Sequence, residues 1–273
     1  MPATHAQITA TLRAAGCVFA EDEAALLLDA AAGDDLVRMV ERRVAGEPLE
    51  VIVGWAEFCG LRIEIDPGVF VPRRRTEVLV REAARLADGP VVVLDLCCGS
   101  GALGVALAHL LPVELYAADV EPAAVRCARR NVATVGGQVF EGNLDEPLPA
   151  SLRGRVDLLV ANVPYVPTDD IAMMPPEARD HEPRVTLDGG ADGLDVLRRV
   201  AAVAPRWLAP GGHLLVETSE AQANAAMEAF TAGGLAARVV VDEDAGATVV
   251  VGTWSTTAGS GRDDGTRAGT SVR

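Results

Sequence analysis

Asn162-Val163-Pro164-Tyr165 sets a side-chain amide, a main-chain carbonyl and an aromatic ring in succession after the apolar run 156–161. Two hydrogen-bond acceptors side by side can grip both hydrogens of an NH₂ group. That matters for a planar amide or aryl amine, whose nitrogen lone pair is delocalised and nucleophilically weak. Holding the hydrogens turns the lone pair toward an electrophilic carbon and stabilises the positive charge that grows on nitrogen. The Asn162 side-chain oxygen and the Val163 carbonyl are the candidate acceptors, Pro164 stiffens the turn, and Tyr165 can pack on the planar group. The plainer alternative is a proline-rich turn containing a satisfied Asn.

Three further features fall at the ends of apolar runs. Asp95-Leu-Cys-Cys-Gly99-Ser100-Gly101 is a glycine-rich link that lets backbone approach a ligand. It fits neither the dinucleotide fingerprint nor a P-loop, because the Lys-Ser/Thr pair is missing. Asp119, with Val120 after it, offers a carboxylate for a ribose diol, or else an acid beside a helix start, a task Glu121 would serve equally. Gly142-Asn143-Leu144 could present a polar side chain to an adenine edge, although an ordinary surface loop has the same composition. Taken together they suit a ligand with adenosine but without phosphates, which is S-adenosylmethionine.

Other chemistry-bearing residues have bland readings. His181 and His213 lack a partner suggesting a triad and read as structural. Asp169, Asp170, Glu177, Asp180 and Glu182 read as a solvated acidic loop. Arg73-Arg74-Arg75 is either a solvated run or a patch for an acidic surface or RNA. Gly136-Gly137-Gln138 reads as a turn into a strand. The cysteines Cys17, Cys59, Cys97, Cys98 and Cys127 show no metal-ligand spacing, so no metal is expected. Their odd number suits reduced thiols in the cytoplasm. The formal net charge of −15 argues against a general nucleic-acid binder. No apolar run reaches transmembrane length.

The positioning elements follow from periodicity. Residues 1–48 read as short helices, with Asp34 as a candidate cap of the third. Residues 49–72 alternate around Gly54 and Gly60 and read as a β-hairpin linker. A helix is expected over about 76–87, and from residue 91 the pattern becomes strand and helix in alternation, through strands at 91–96, 113–118, 138–140, 156–161 and 213–217. The helix 194–208 is expected to end at Pro210-Gly211-Gly212. Two closing strands, 235–241 and 248–253, are expected to be antiparallel neighbours. This predicts an α/β doubly wound, mostly parallel sheet over 73–257, with a disordered tail at 258–273.

Several linked motifs together resemble the bacterial protein-(glutamine-N5) methyltransferases that modify peptide chain release factors. AGEPLEVIVGWAEFCGLRIEIDPGVFVPRRRTE resembles the family's linker, DLCCGSG its donor loop, NVPY its NPPY motif, and HEPRVTLDGGADGL the segment that follows. The resemblance implies a class I S-adenosylmethionine-dependent methyltransferase fold, Rossmann-like and seven-stranded, with an N-terminal helical domain that helps hold a protein substrate. It implies a donor site drawn from Asp95, Cys97, Gly99, Gly101, Asp119, Val120, Asn143, Leu144 and Asn162. It also implies an acceptor site of Asn162, Val163, Pro164 and Tyr165, taking the glutamine amide of a release factor. Val163 stands where the family usually has Pro, Cys97 where it has Gly, and Asn143 where it has Asp. Two other functions compete, namely methylation of an exocyclic amine on a nucleic-acid base and a non-catalytic donor-binding regulator.

Overall fold

A computed structural model describes residues 4–255; the expected tail at 258–273 lies outside them. Helices α1 (His5–Ala14), α2 (Ala20–Ala30), α3 (Gly33–Val44) and α4 (Leu49–Val53) open the chain. They bury Ile8, Leu12, Leu27, Leu36 and Ile52 in a core of their own. Asp34 is not the cap of α3. Ala32 holds that position without a side-chain bond, and Asp34 and Asp35 sit in the first turn, where acids favour the helix dipole. The expected hairpin is shorter than 49–72. Leu49–Val53 is helical despite its β-branched residues, because Ile52 is drawn into the helical core, and Gly54 ends the helix at φ 82°.

The hairpin itself is β1 (Trp55–Phe58) paired antiparallel with β2 (Leu61–Glu64). Its inner residues Ala56, Phe58 and Ile63 join the core of the large sheet. An extended segment leads into α5 (Glu77–Leu86). Then come β3 (Val91–Leu96), α6 (Ala102–Leu110), β4 (Val113–Asp119), α7 (Pro122–Ala133), β5 (Gln138–Glu141) and β6 (Val156–Ala161). A folded-back segment containing α8 (Pro176–His181) precedes α9 (Asp195–Trp207), β7 (Leu208–Thr218), α10 (Ala223–Ala232), β8 (Leu235–Asp242) and β9 (Ala247–Trp254).

The seven strands order as β5-β4-β3-β6-β7-β9-β8. β9 runs antiparallel to both neighbours, as the short link before it implies. One boundary moves. Leu208 already pairs with Val156, so Pro210-Gly211-Gly212 forms an irregularity inside β7 rather than the stop of α9. The chain leaves β3 toward β4 and β5, then returns to β3's other side with β6. The carboxyl ends of β3, β4 and β6 therefore flank the place where strand order reverses, the site at which open α/β sheets bind ligands.

Candidate active site

A cavity of about 370 Å³ opens at that reversal point. Of the residues expected to form the site, all but Asp95 and Gly101 line it. Those two stand behind the glycine-rich loop. Asp95 is fully buried, and its Oδ2 accepts from the Gly104 N–H at 3.0 Å, which anchors the first turn of α6. Gly101 precedes α6 at φ 79°, and a Cβ there would meet Val132 Cγ2 at 2.8 Å. Both residues shape the loop rather than face the cavity.

The loop rests on the next strand. Gly99 N–H donates to Asp119 Oδ2 at 2.8 Å, and Glu121 N–H donates to Oδ1 at 2.9 Å. Burial nonetheless holds the Asp119 carboxyl above its ordinary range. Each oxygen keeps a free lone pair, which suits a diol. Cys97 and Leu144 both line the cavity in the left-handed region, at φ 55° and 51°. Non-glycine residues held there store local strain, which clusters at ligand sites. Burial drives the Cys97 thiol well above the usual range, so it acts as an apolar wall and not a nucleophile. Asn143 lines the cavity with its amide engaged on both sides. Its Oδ1 accepts from Arg199 Nη2 at 2.7 Å and its Nδ2 donates to Glu146 at 3.0 Å. The side-chain oxygen keeps a second lone pair beside its bond to Arg199.

The acceptor end forms where β6 stops. Asn162 Nδ2 lies 3.4 Å from Thr76 Oγ1, and no described residue donates to Asn162 Oδ1 or to the Val163 carbonyl. Thr76 is buried and comes from the linker, so sequence reading did not connect it with Asn162. Tyr165 is held from three directions. Arg75 Nη2 donates to its hydroxyl at 2.5 Å, the hydroxyl lies 3.4 Å from Glu217 Oε1, and its carbonyl accepts from Gln222 Nε2 at 2.9 Å.

The arginine run is not simply solvated. Arg73 pairs with Glu182 at 2.5 Å and Arg75 with Glu217 at 3.0 Å, and both carboxylate side chains are only 2% exposed. Glu182 therefore leaves the acidic loop and lines the cavity. Asp169, Asp170, Glu177 and Asp180 do stay exposed. His213 is structural, its Nδ1 3.0 Å from Thr253 Oγ1 across paired strands.

The cavity suits S-adenosylmethionine by its donor set. The half-buried Asp119 carboxylate lines the cavity with lone pairs free for a diol, and apolar walls from Val120, Leu144 and Val196 can enclose a flat base. The arginines that line the cavity are already engaged, Arg73 by Glu182, Arg75 by Glu217 and Arg199 by the Asn143 side-chain oxygen.

Comparison with known proteins agrees. Residues 60–174 match the methyltransferase small domain family. The release factor glutamine methyltransferase of Geobacter sulfurreducens is 43% identical over 78% of this chain and 75% of its own length. That of Mycolicibacterium smegmatis is 39% identical over 83% of this chain and 87% of its own. The 4-amino-L-phenylalanine/4-methylamino-L-phenylalanine methyltransferase of Streptomyces pristinaespiralis is 40% identical over 71% of this chain and 69% of its own. A methyltransferase from Pyrococcus furiosus superposes with a TM-score of 0.54 at 16% identity, over 71% of this chain and 89% of that one, and bears on fold alone. With a class I methyltransferase sheet, an adenosine-type cavity and this depth of similarity, the chain belongs to the release factor glutamine methyltransferase family.

Proposed function

We infer that this chain methylates the side-chain amide nitrogen of a glutamine in a peptide chain release factor, the GGQ glutamine, with S-adenosylmethionine as donor. The observation that carries the reading is the pair of unengaged acceptors, Asn162 Oδ1 and the Val163 carbonyl, at one end of the cavity. Bound S-adenosylmethionine supplies an electrophilic methyl on a sulfonium sulfur. Asp119 would hold its ribose diol, and the 97–100 loop its amino-acid end.

The protein's part is to orient and to exclude water. Asn162 Oδ1 and Val163 O take one N–H each of the acceptor amide and turn its lone pair into line. Both are stronger acceptors for the amide nitrogen as it becomes cationic, so they favour the transition state over the ground state. Val163 serves through its backbone, so the absence of a second proline leaves the acceptor in place. A cationic amide nitrogen sheds its proton readily, and no side-chain base is needed. Helices α1–α4 and the hairpin are assigned to holding the protein substrate. The five free thiols fit a reducing cytoplasm, where release factors act.

A second reading takes an aryl amine of a free amino acid as acceptor. The Streptomyces pristinaespiralis relative favours it, since the same two acceptors suit an aryl NH₂. One experiment separates the two. The protein is incubated with labelled donor and, in parallel, a release factor, its Gln→Ala variant, 4-aminophenylalanine, and DNA or RNA. Label on the first alone supports the leading reading. Label on 4-aminophenylalanine alone moves support to the second, and label on nucleic acid alone overturns both.

A further inference from the structure

Glu182 carries a buried carboxylate oxygen that takes no part in gripping the acceptor amide. Its side chain is 2% exposed. Oε1 accepts from Arg73 Nη2 at 2.5 Å, but Oε2 is buried with no hydrogen-bond partner among the described residues. The nearby Val71 N–H acts on the carboxylate without closing a bond to Oε2. A buried carboxylate oxygen without a donor is costly. Glu217 shows the same orphaned oxygen away from the cavity wall, whereas Glu182 belongs to that wall, as do Asn162 and Tyr165.

We propose that Glu182 is a substrate-binding residue whose Oε2 accepts a hydrogen bond from a main-chain N–H of the polypeptide flanking the target glutamine. The charge of Glu182 is already matched by Arg73. What Oε2 lacks is a neutral donor, not a second cation, and a peptide N–H meets that need. Such a bond would fix the register of the incoming chain, so that the next side-chain amide arrives at Asn162 and Val163. Phe70 and Val185, which line the same cavity, would flank the peptide with apolar surface.

This rests on the protein-glutamine reading, and the test keeps the two apart. In Glu182→Gln the oxygen stays with Arg73, which can only donate, so the amide NH₂ takes the Oε2 position and sets a donor against a donor. The expected result is a KM for the release factor raised about tenfold or more, with the donor Kd within about twofold of the parent. Glu182→Asp retains a carboxylate acceptor and should recover part of the loss. Unaltered donor binding shows the variants are folded. An unchanged acceptor KM in Glu182→Gln, with the parent active, overturns this proposal alone. A parallel loss of donor affinity also overturns it, since Oε2 would then serve the donor or the fold. A parent protein that never labels the release factor overturns both readings.

Discussion

Arg75 Nη2 donates to the Tyr165 hydroxyl at 2.5 Å. Through this bond the linker arginine sets the ring of a residue in the acceptor turn, while the same guanidinium pairs with Glu217 at the end of β7. Tyr165→Phe keeps the ring and frees it from its tether. Its transfer rate should fall about three- to tenfold at unchanged donor Kd, measured by single-turnover labelling. A wild-type rate would show that the ring needs no tether.

Removing the arginine tests a different quantity. Arg75→Met leaves Glu217 buried with neither oxygen facing a cation. Denaturant unfolding should then show a loss of about 2 kcal/mol or more, although Arg75 itself is half exposed. A second substitution, Glu217→Gln, should recover much of that loss, because the stranded charge is gone. Equal destabilisation in the double variant would contradict this account.

Asn162→Ala removes one of the two acceptors proposed to grip the amide. Donor affinity should hold, while the rate constant for transfer falls about a hundredfold, in the range seen when one transition-state hydrogen bond is lost. An unchanged rate would remove Asn162 from the mechanism.

Gly101→Ala should be destabilised by about 1–3 kcal/mol. The residue sits at φ 79°, and its new Cβ would lie 2.8 Å from Val132 Cγ2. Thermal unfolding with and without donor reports whether the loop also loses affinity.

Asp95 gives a pH signature. Full burial pushes its carboxyl up to about 7, and one of its oxygens has no partner. The unfolded chain releases this proton in the ordinary carboxylate range, whereas the native protein keeps it to about 7. Between those values the native state binds more protons, so its stability falls as pH rises, by about 1.4 kcal/mol per unit from this one group. Above about 7 the penalty is complete and the curve levels. Asp95→Asn should lose this slope. The difference in unfolding free energy between variant and parent should therefore move in the variant's favour from pH 5 to 7, and a constant difference would mean that Asp95 is ionised when folded.

The alternation of strand and helix from residue 91 was legible because burial of a sheet between helices writes a local period into the chain. So were the breaks at Asp95–Gly101, Asp119 and Asn162, since a strand that ends at a ligand must change composition there. Leu49–Val53 was misread because its β-branched residues suit a strand locally, while the helical core claims Ile52. The charged and polar supports were not legible at all. Arg73 with Glu182, Arg75 with Glu217, Thr76 with Asn162 and Gln222 with Tyr165 each join distant parts of the chain. A charged residue becomes a buried one only when the fold delivers its partner, and no local pattern records that delivery. The sequence determined the strand ends on which a methyl donor and a planar amide could meet. The tertiary structure decided which of those residues face the cavity, with Asp95 and Gly101 set behind it and Glu182 turned in.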